Sequence, residues 1–83
     1  MARRLRYSQH ALARLEQRHI RRQWVEAVVG TRPVSRGAER IHTLSATELA
    51  ARFGAEFRKG LRVVVDACCR RVVTVHWLDQ AVS

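Results

Sequence analysis

LRVVVDACCRRVVTVHW, residues 61–77, decides how this chain folds. Its two halves, 61–66 and 71–77, are rich in β-branched residues, which suit a pleated, half-buried surface. Only ACCR, residues 67–70, lies between them. Strands joined by so short a link pair antiparallel, because a parallel partner needs a much longer crossover. The link lacks the Gly or Asn that tight hairpin turns ordinarily use. In the second strand a period of two sets Val73, Val75 and Trp77 on one side and Val72, Thr74 and His76 on the other. The first set is the natural core face, which leaves the second open and polar.

Working back from the hairpin, SATE at Ser45–Glu48 reads as a capping box. It opens a short helix ending near Phe53, with Gly54 as its stop and Leu49, Ala50 and Phe53 as its apolar side. GAERIHTL, residues 37–44, alternates loosely and predicts a strand with Ile41 toward the core. Two helices precede it. The first starts after Ser8, a competent N-cap, and runs to Gln17 or Arg18 with Ala11, Leu12 and Leu15 inward. The second covers Arg21 to Val29 and buries Trp24, Val25, Val28 and Val29. Gly30 stands where a left-handed residue would end it, with Pro33 just beyond. The expected architecture is one α+β domain over residues 1–83. Two N-terminal helices pack on a small antiparallel sheet, and an extra short helix lies in the middle.

Charge points to the partner. Sixteen basic residues oppose seven acidic ones, a formal net charge of +9. Lys59 is the sole lysine. An excess of this kind costs self-repulsion and suits a polyanion, with nucleic acid first, an acidic protein second and a membrane surface third. Guanidinium groups pair bidentately with phosphate, although a GC-rich genome would also favour arginine codons. No apolar run approaches the roughly 18 residues that span a bilayer, so no membrane role is expected. The basic start, MARRLRYSQH, has no apolar stretch after it, so no secretory signal is expected either. Adjacent Cys68 and Cys69 fit reduced thiols in the cytoplasm better than a strained vicinal disulfide. The neighbouring Arg70 and Arg71 would lower a thiol pKa there. His10, His19, His42 and His76 show no zinc-type spacing with them, so neither a metal nor another cofactor is expected.

Candidate chemistry sits at two places. His10, Arg14 and Arg18, four residues apart, share one face of the first helix. An imidazole there can act as a general base, and two guanidinium groups can hold a phosphate or stabilise a pentacoordinate phosphorus. The same stripe also reads as the solvated side of an amphipathic helix. In the last strand Thr74 and His76 share the open face, where Arg58, Arg62 or Arg71 could stand near. His10 and His76 together would make an acid–base pair. Arg3, Arg4, Arg6, Arg21 and Arg22 read as general phosphate contacts.

The pattern S-x-H-A-x-x-R is filled by Ser8, His10, Ala11 and Arg14, and it continues to Arg18 and Ile20 as R-x-I. With the closing strand pair, it resembles a family of short bacterial proteins related to the RelE- and BrnT-type toxins of toxin–antitoxin modules. The resemblance implies a RelE-like fold, helices on one side of a curved antiparallel sheet, and a metal-independent ribonuclease acting on RNA. Family positions fall on His10, Arg14 and Arg18, with Thr74 in the closing T-V step. His19 stands where the family often has Gly, and the stretch between Ile41 and Leu61 is longer and richer in alanine. An acidic antitoxin would fit such a toxin. Wider relatives of this fold poison a protein target without cutting RNA, so a non-catalytic basic module is the alternative.

Overall fold

The structure is a computed structural model and describes residues 5–78. The chain runs β1 (Arg6–Tyr7), α1 (Gln9–Gln17), α2 (Arg22–Val29), β2 (Val34–Arg36), β3 (Glu39–Leu44), α3 (Ala46–Phe53), β4 (Gly60–Asp66) and β5 (Arg71–Leu78). The strands form one sheet in the order β1-β5-β4-β3-β2. The hairpin is the one the sequence predicts: β4 and β5 pair antiparallel, with Leu61 opposite Trp77 and Arg62 opposite His76. β3 pairs antiparallel with the other edge of β4, and β2 with β3. The sheet is mixed, however, and not antiparallel throughout. β1 runs parallel to β5 through Arg6–Arg71 and Tyr7–Val72. β1 and β2 are two and three residues long, too short to show a period in sequence.

Ala11 and Leu15 of α1, Val25 and Val28 of α2 and Leu49 of α3 join Leu44, Leu61, Val63, Val65, Val72 and Val75 in one buried cluster. All three helices therefore cover the same face of the sheet. Each Val or Leu among them contributes about 1.5–3 kcal/mol on full burial.

Two details of the sheet differ from the simple alternation. Val64 lies opposite Thr74 but Val65 lies opposite Val72, so Val73 is an extra residue in β5. This bulge corrects the expected faces: Val72 joins Val75 in the core cluster, and Val73 stays outside it. In β3 the inward residues are His42 and Leu44, opposite Val63 and Leu61, while Ile41 pairs with Val64 on the other face. His42 is buried because its Nδ1 donates to the Thr31 carbonyl oxygen at 2.8 Å. The hydropathy of Ile41 thus pointed to the wrong face.

The turns explain the rest. Residues 67–70 close without Gly because Asp66 Oδ1 accepts from the Cys68 N–H at 2.9 Å, and Arg70 itself takes a φ of 51°. Gly30 is not left-handed, as it was expected to be; its φ is −71°. Ser45 and Gly54 do cap α3 as expected, Gly54 with φ 64°. Gly60 starts β4 where a Cβ would come within 2.7 Å of the Leu44 carbonyl oxygen. Between α1 and α2 the left-handed residue is His19, φ 54°. The His19 N–H bonds the Glu16 carbonyl at 3.4 Å, and the Ile20 N–H bonds that of Leu15 at 2.9 Å. These are the two bonds of a Schellman motif, and buried Ile20 and Leu15 supply its apolar contact.

His19→Gly removes the Cβ penalty at that turn and is expected to stabilise the fold by about 0.5–1 kcal/mol. That corresponds to a rise in Tm of roughly 2–8 °C for a domain of this size, read by circular dichroism. Ser8→Ala should lower stability by about 1 kcal/mol through loss of the α1 N-cap, and more if its second bond, to Val73, also counts.

Candidate functional site

Two side-chain hydrogen bonds set α1 alongside β5. Ser8 Oγ accepts from the Ala11 N–H at 3.0 Å and donates to the carbonyl of Val73, the bulge residue, also at 3.0 Å. At the far end Trp77 Nε1 donates to the Arg18 carbonyl oxygen at 3.2 Å. The helix therefore follows the strand, with Ser8 at Val73 and Arg18 at Trp77.

The predicted stripe exists. Arg14 Nε donates to His10 Nε2 at 3.5 Å, and Arg14 Nη1 donates to Gln17 Oε1 at 3.1 Å. The step from His10 to Arg18 covers about 12 Å of helix, and Arg18 is the end bonded to Trp77, the neighbour of His76. There, on the face opposite the core, cross-strand pairing lines up Thr43, Arg62 and His76. Partial burial first, then the charges of Arg62 and Arg18, hold the His76 imidazole below the ordinary histidine range. Among the described residues Arg62 Nε is buried without a hydrogen-bond partner. An imidazole biased toward its neutral form, paired across the strands with Arg62, can accept a proton beside a bound phosphate. Thr74 shares that face one pair along, opposite Val64.

The other candidates are dispersed. His10 lies in the first turn of α1, at the end where Ser8 bonds Val73, whereas His76 adjoins Trp77 at the Arg18 end. Arg71 pairs with Asp66 and with Arg6 at the far end of the sheet from His76. Arg21 stacks over Trp24 at 5.9 Å and Arg22 over Tyr7 at 5.2 Å. Arg58 follows α3 and, with Arg18, borders a cavity against Trp24 and Trp77. Arg3 and Arg4 lie outside the described residues. Cys68 and Cys69 are both exposed. The Cys68 thiol is pushed up, chiefly by its hydrogen bond with Cys69 and then by the charges of Cys69 and Asp66, the reverse of the lowering expected from Arg70 and Arg71.

Sequence reasoning set Trp24, Phe53 and Trp77 inward but missed Phe57, which joins them in an aromatic group whose contacting ring centroids lie 5.0–6.5 Å apart. Phe57 lies just past the Gly54 stop, in a stretch with no period to assign it a face. Among the described residues no three His, Cys, Asp or Glu side chains cluster so as to hold a metal ion, and no helix is long and apolar enough to cross a membrane. Comparison with protein-family models, with curated proteins and with solved structures gives no match.

In an NMR titration His76 should show a pKa below the ordinary value of about 6.5. Arg62→Gln should raise it only part of the way back, because burial is the larger cause. A wild-type midpoint at or above the ordinary value would remove the case for a neutral base here.

Proposed function

We propose that this chain is a metal-independent endoribonuclease, a toxin-like component of a toxin–antitoxin module with a RelE-like fold. The observation that carries the reading is the cross-strand pairing of His76 with Arg62, whose Nε is buried without a hydrogen-bond partner; the charges of Arg62 and Arg18 and partial burial all lower the His76 pKa. RNA lies with one phosphate between the two guanidinium groups. His76 takes the proton of the adjacent ribose 2′-OH as that oxygen attacks phosphorus and the bond to the 5′ oxygen breaks. The products are a 2′,3′-cyclic phosphate and a 5′-OH end, with the leaving oxygen protonated from water. Arg18 and Arg62 stabilise the added negative charge of the transition state. Thr74 and Arg14 flank the path of the strand, and His10 serves binding. DNA, without a 2′-OH, is not cut.

The turn at His19 supports the family resemblance, because the position where that family often has Gly is left-handed here. The strong positive charge fits both RNA and an acidic antitoxin that would cover the basic face. One observation favours the alternative, a non-catalytic basic module that binds nucleic acid or inhibits a protein target: the separation of His10 leaves the site a single histidine.

Purified protein incubated in EDTA with labelled RNA and its DNA counterpart decides between them. The enzyme cuts RNA alone. His76→Ala lowers the rate by about 100-fold or more, and Arg18→Gln or Arg62→Gln lowers it by about 100-fold each. His10→Ala stays within about an order of magnitude of wild type, because its imidazole is not the base. For the free enzyme kcat/KM rises with pH as His76 loses its proton, with a midpoint below the ordinary histidine value, and then levels off. Salt-sensitive RNA binding without cleavage would assign the binding module instead.

A further inference from the structure

Arg18 has a second side. Beyond it Trp24, Phe57 and Trp77 wall a cavity of about 450 Å³ with Arg18 and Arg58 at its rim. Trp24 meets Phe57 edge-on, with centroids 5.0 Å apart at 76°, and lies 5.9 Å from Trp77. These three rings are only half-buried, although they pack against the closed core. Aromatic surface is thus left open beside cationic groups. One carboxylate, Glu56, also borders the cavity, against Arg18, Arg58 and Lys59.

Partly exposed aromatic rings beside guanidinium groups form the pairing by which proteins hold single-stranded nucleic acid: bases stack on the rings and phosphates meet the cations. Position strengthens the argument. His76 and Trp77 are consecutive in β5 and project to opposite faces of the sheet. Arg18 serves both, since its charge acts on His76 and the residue borders the cavity. A strand crossing this edge can give its phosphate to Arg18 and turn the attached base onto Trp77. β1 covers β5 only at Arg71 and Val72, which leaves the crossing point clear of it.

We propose that the Trp24–Phe57–Trp77 cavity is a nucleobase pocket for a single-stranded RNA, adjoining the phosphate at Arg18. The phosphate position rests on the proposed function above; the pocket itself is tested by binding alone. Trp24 and Trp77 are the two tryptophans of the chain, and both line this cavity, so intrinsic fluorescence reports on it directly. The probe is a 2′-O-methyl oligoribonucleotide of about ten residues, which resists 2′-OH attack, set beside an abasic chain with the same phosphates. The base-bearing chain should change the tryptophan emission to saturation and bind about 10-fold or more tightly than the abasic chain, which leaves the emission unchanged. Phe57→Ala, in the segment after α3 and checked for folding, should weaken the base-bearing chain about 5- to 100-fold and leave the abasic chain as it was.

Equal binding of the two chains with constant emission would overturn the pocket, and the wild-type comparison gives that answer without any variant. An emission change that follows protein concentration in the absence of oligonucleotide would overturn it too, by placing a second copy of the chain in the cavity. Cleavage assayed on unmodified RNA separates the two ideas. RNA cut without base-dependent binding removes the pocket and keeps the enzyme. Base-dependent emission without cleavage keeps the pocket and makes the chain a binding module.

Discussion

Everything of functional interest depends on α1 being held along β5. The helix is only nine residues long, too short to be stable on its own, so tertiary contacts must hold it. Ala11 and Leu15 anchor it by burial, but burial alone would let a short helix rotate or slide. The directional bonds at its two ends, Ser8 to Val73 and Arg18 to Trp77, fix its register on the strand. The bulge is part of that fixation, since the residue it adds to β5 presents the carbonyl that Ser8 bonds. From that register follow the approach of Arg18 to His76 and the closure of the cavity beside Trp77.

Charge acts in the opposite direction. The arginine contacts described above go to neutral groups: the rings of Trp24 and Tyr7, the imidazole of His10 and the amide of Gln17. Arg40 likewise donates to the Ser35 hydroxyl at 3.4 Å. Such contacts orient a guanidinium without cancelling its charge. The folded chain therefore carries a repulsion that a polyanion relieves, and its attraction to one must weaken as salt rises.

Local signals in the sequence carried a good part of this fold. The β-branched runs around ACCR gave the hairpin, Ser8 and Ser45 gave two helix starts, and Gly54 gave a helix end. Long-range events were not legible. Whether Val72 or Val73 faces the core depends on one extra residue in a ladder formed with a distant strand, and β1 becomes a strand only because β5 offers it an edge. His42 is inward because the carbonyl of Thr31, just past α2, waits for its Nδ1, which no hydropathy pattern encodes. The same limit governed the site. His10, Arg14 and Arg18 were recognisable as one stripe, and His76 as an outward histidine. Which end of the stripe meets His76 is a matter of how α1 lies on the sheet.

The parallel pairing of β1 with β5 has a consequence for synthesis. Arg18 emerges from the ribosome early and His76 among the last of the described residues, with α2, α3 and three strands made between them. A nascent chain that lacks β5 has neither the edge that β1 needs nor the indole that holds the end of α1. Its arginines are exposed beside ribosomal RNA, yet the imidazole and the wall of the cavity are not assembled. The pairing of His76 with Arg62 and the indole wall of the cavity form only once β5 is in place. A chain truncated before that strand would keep most of the charge but lose His76 and Trp77.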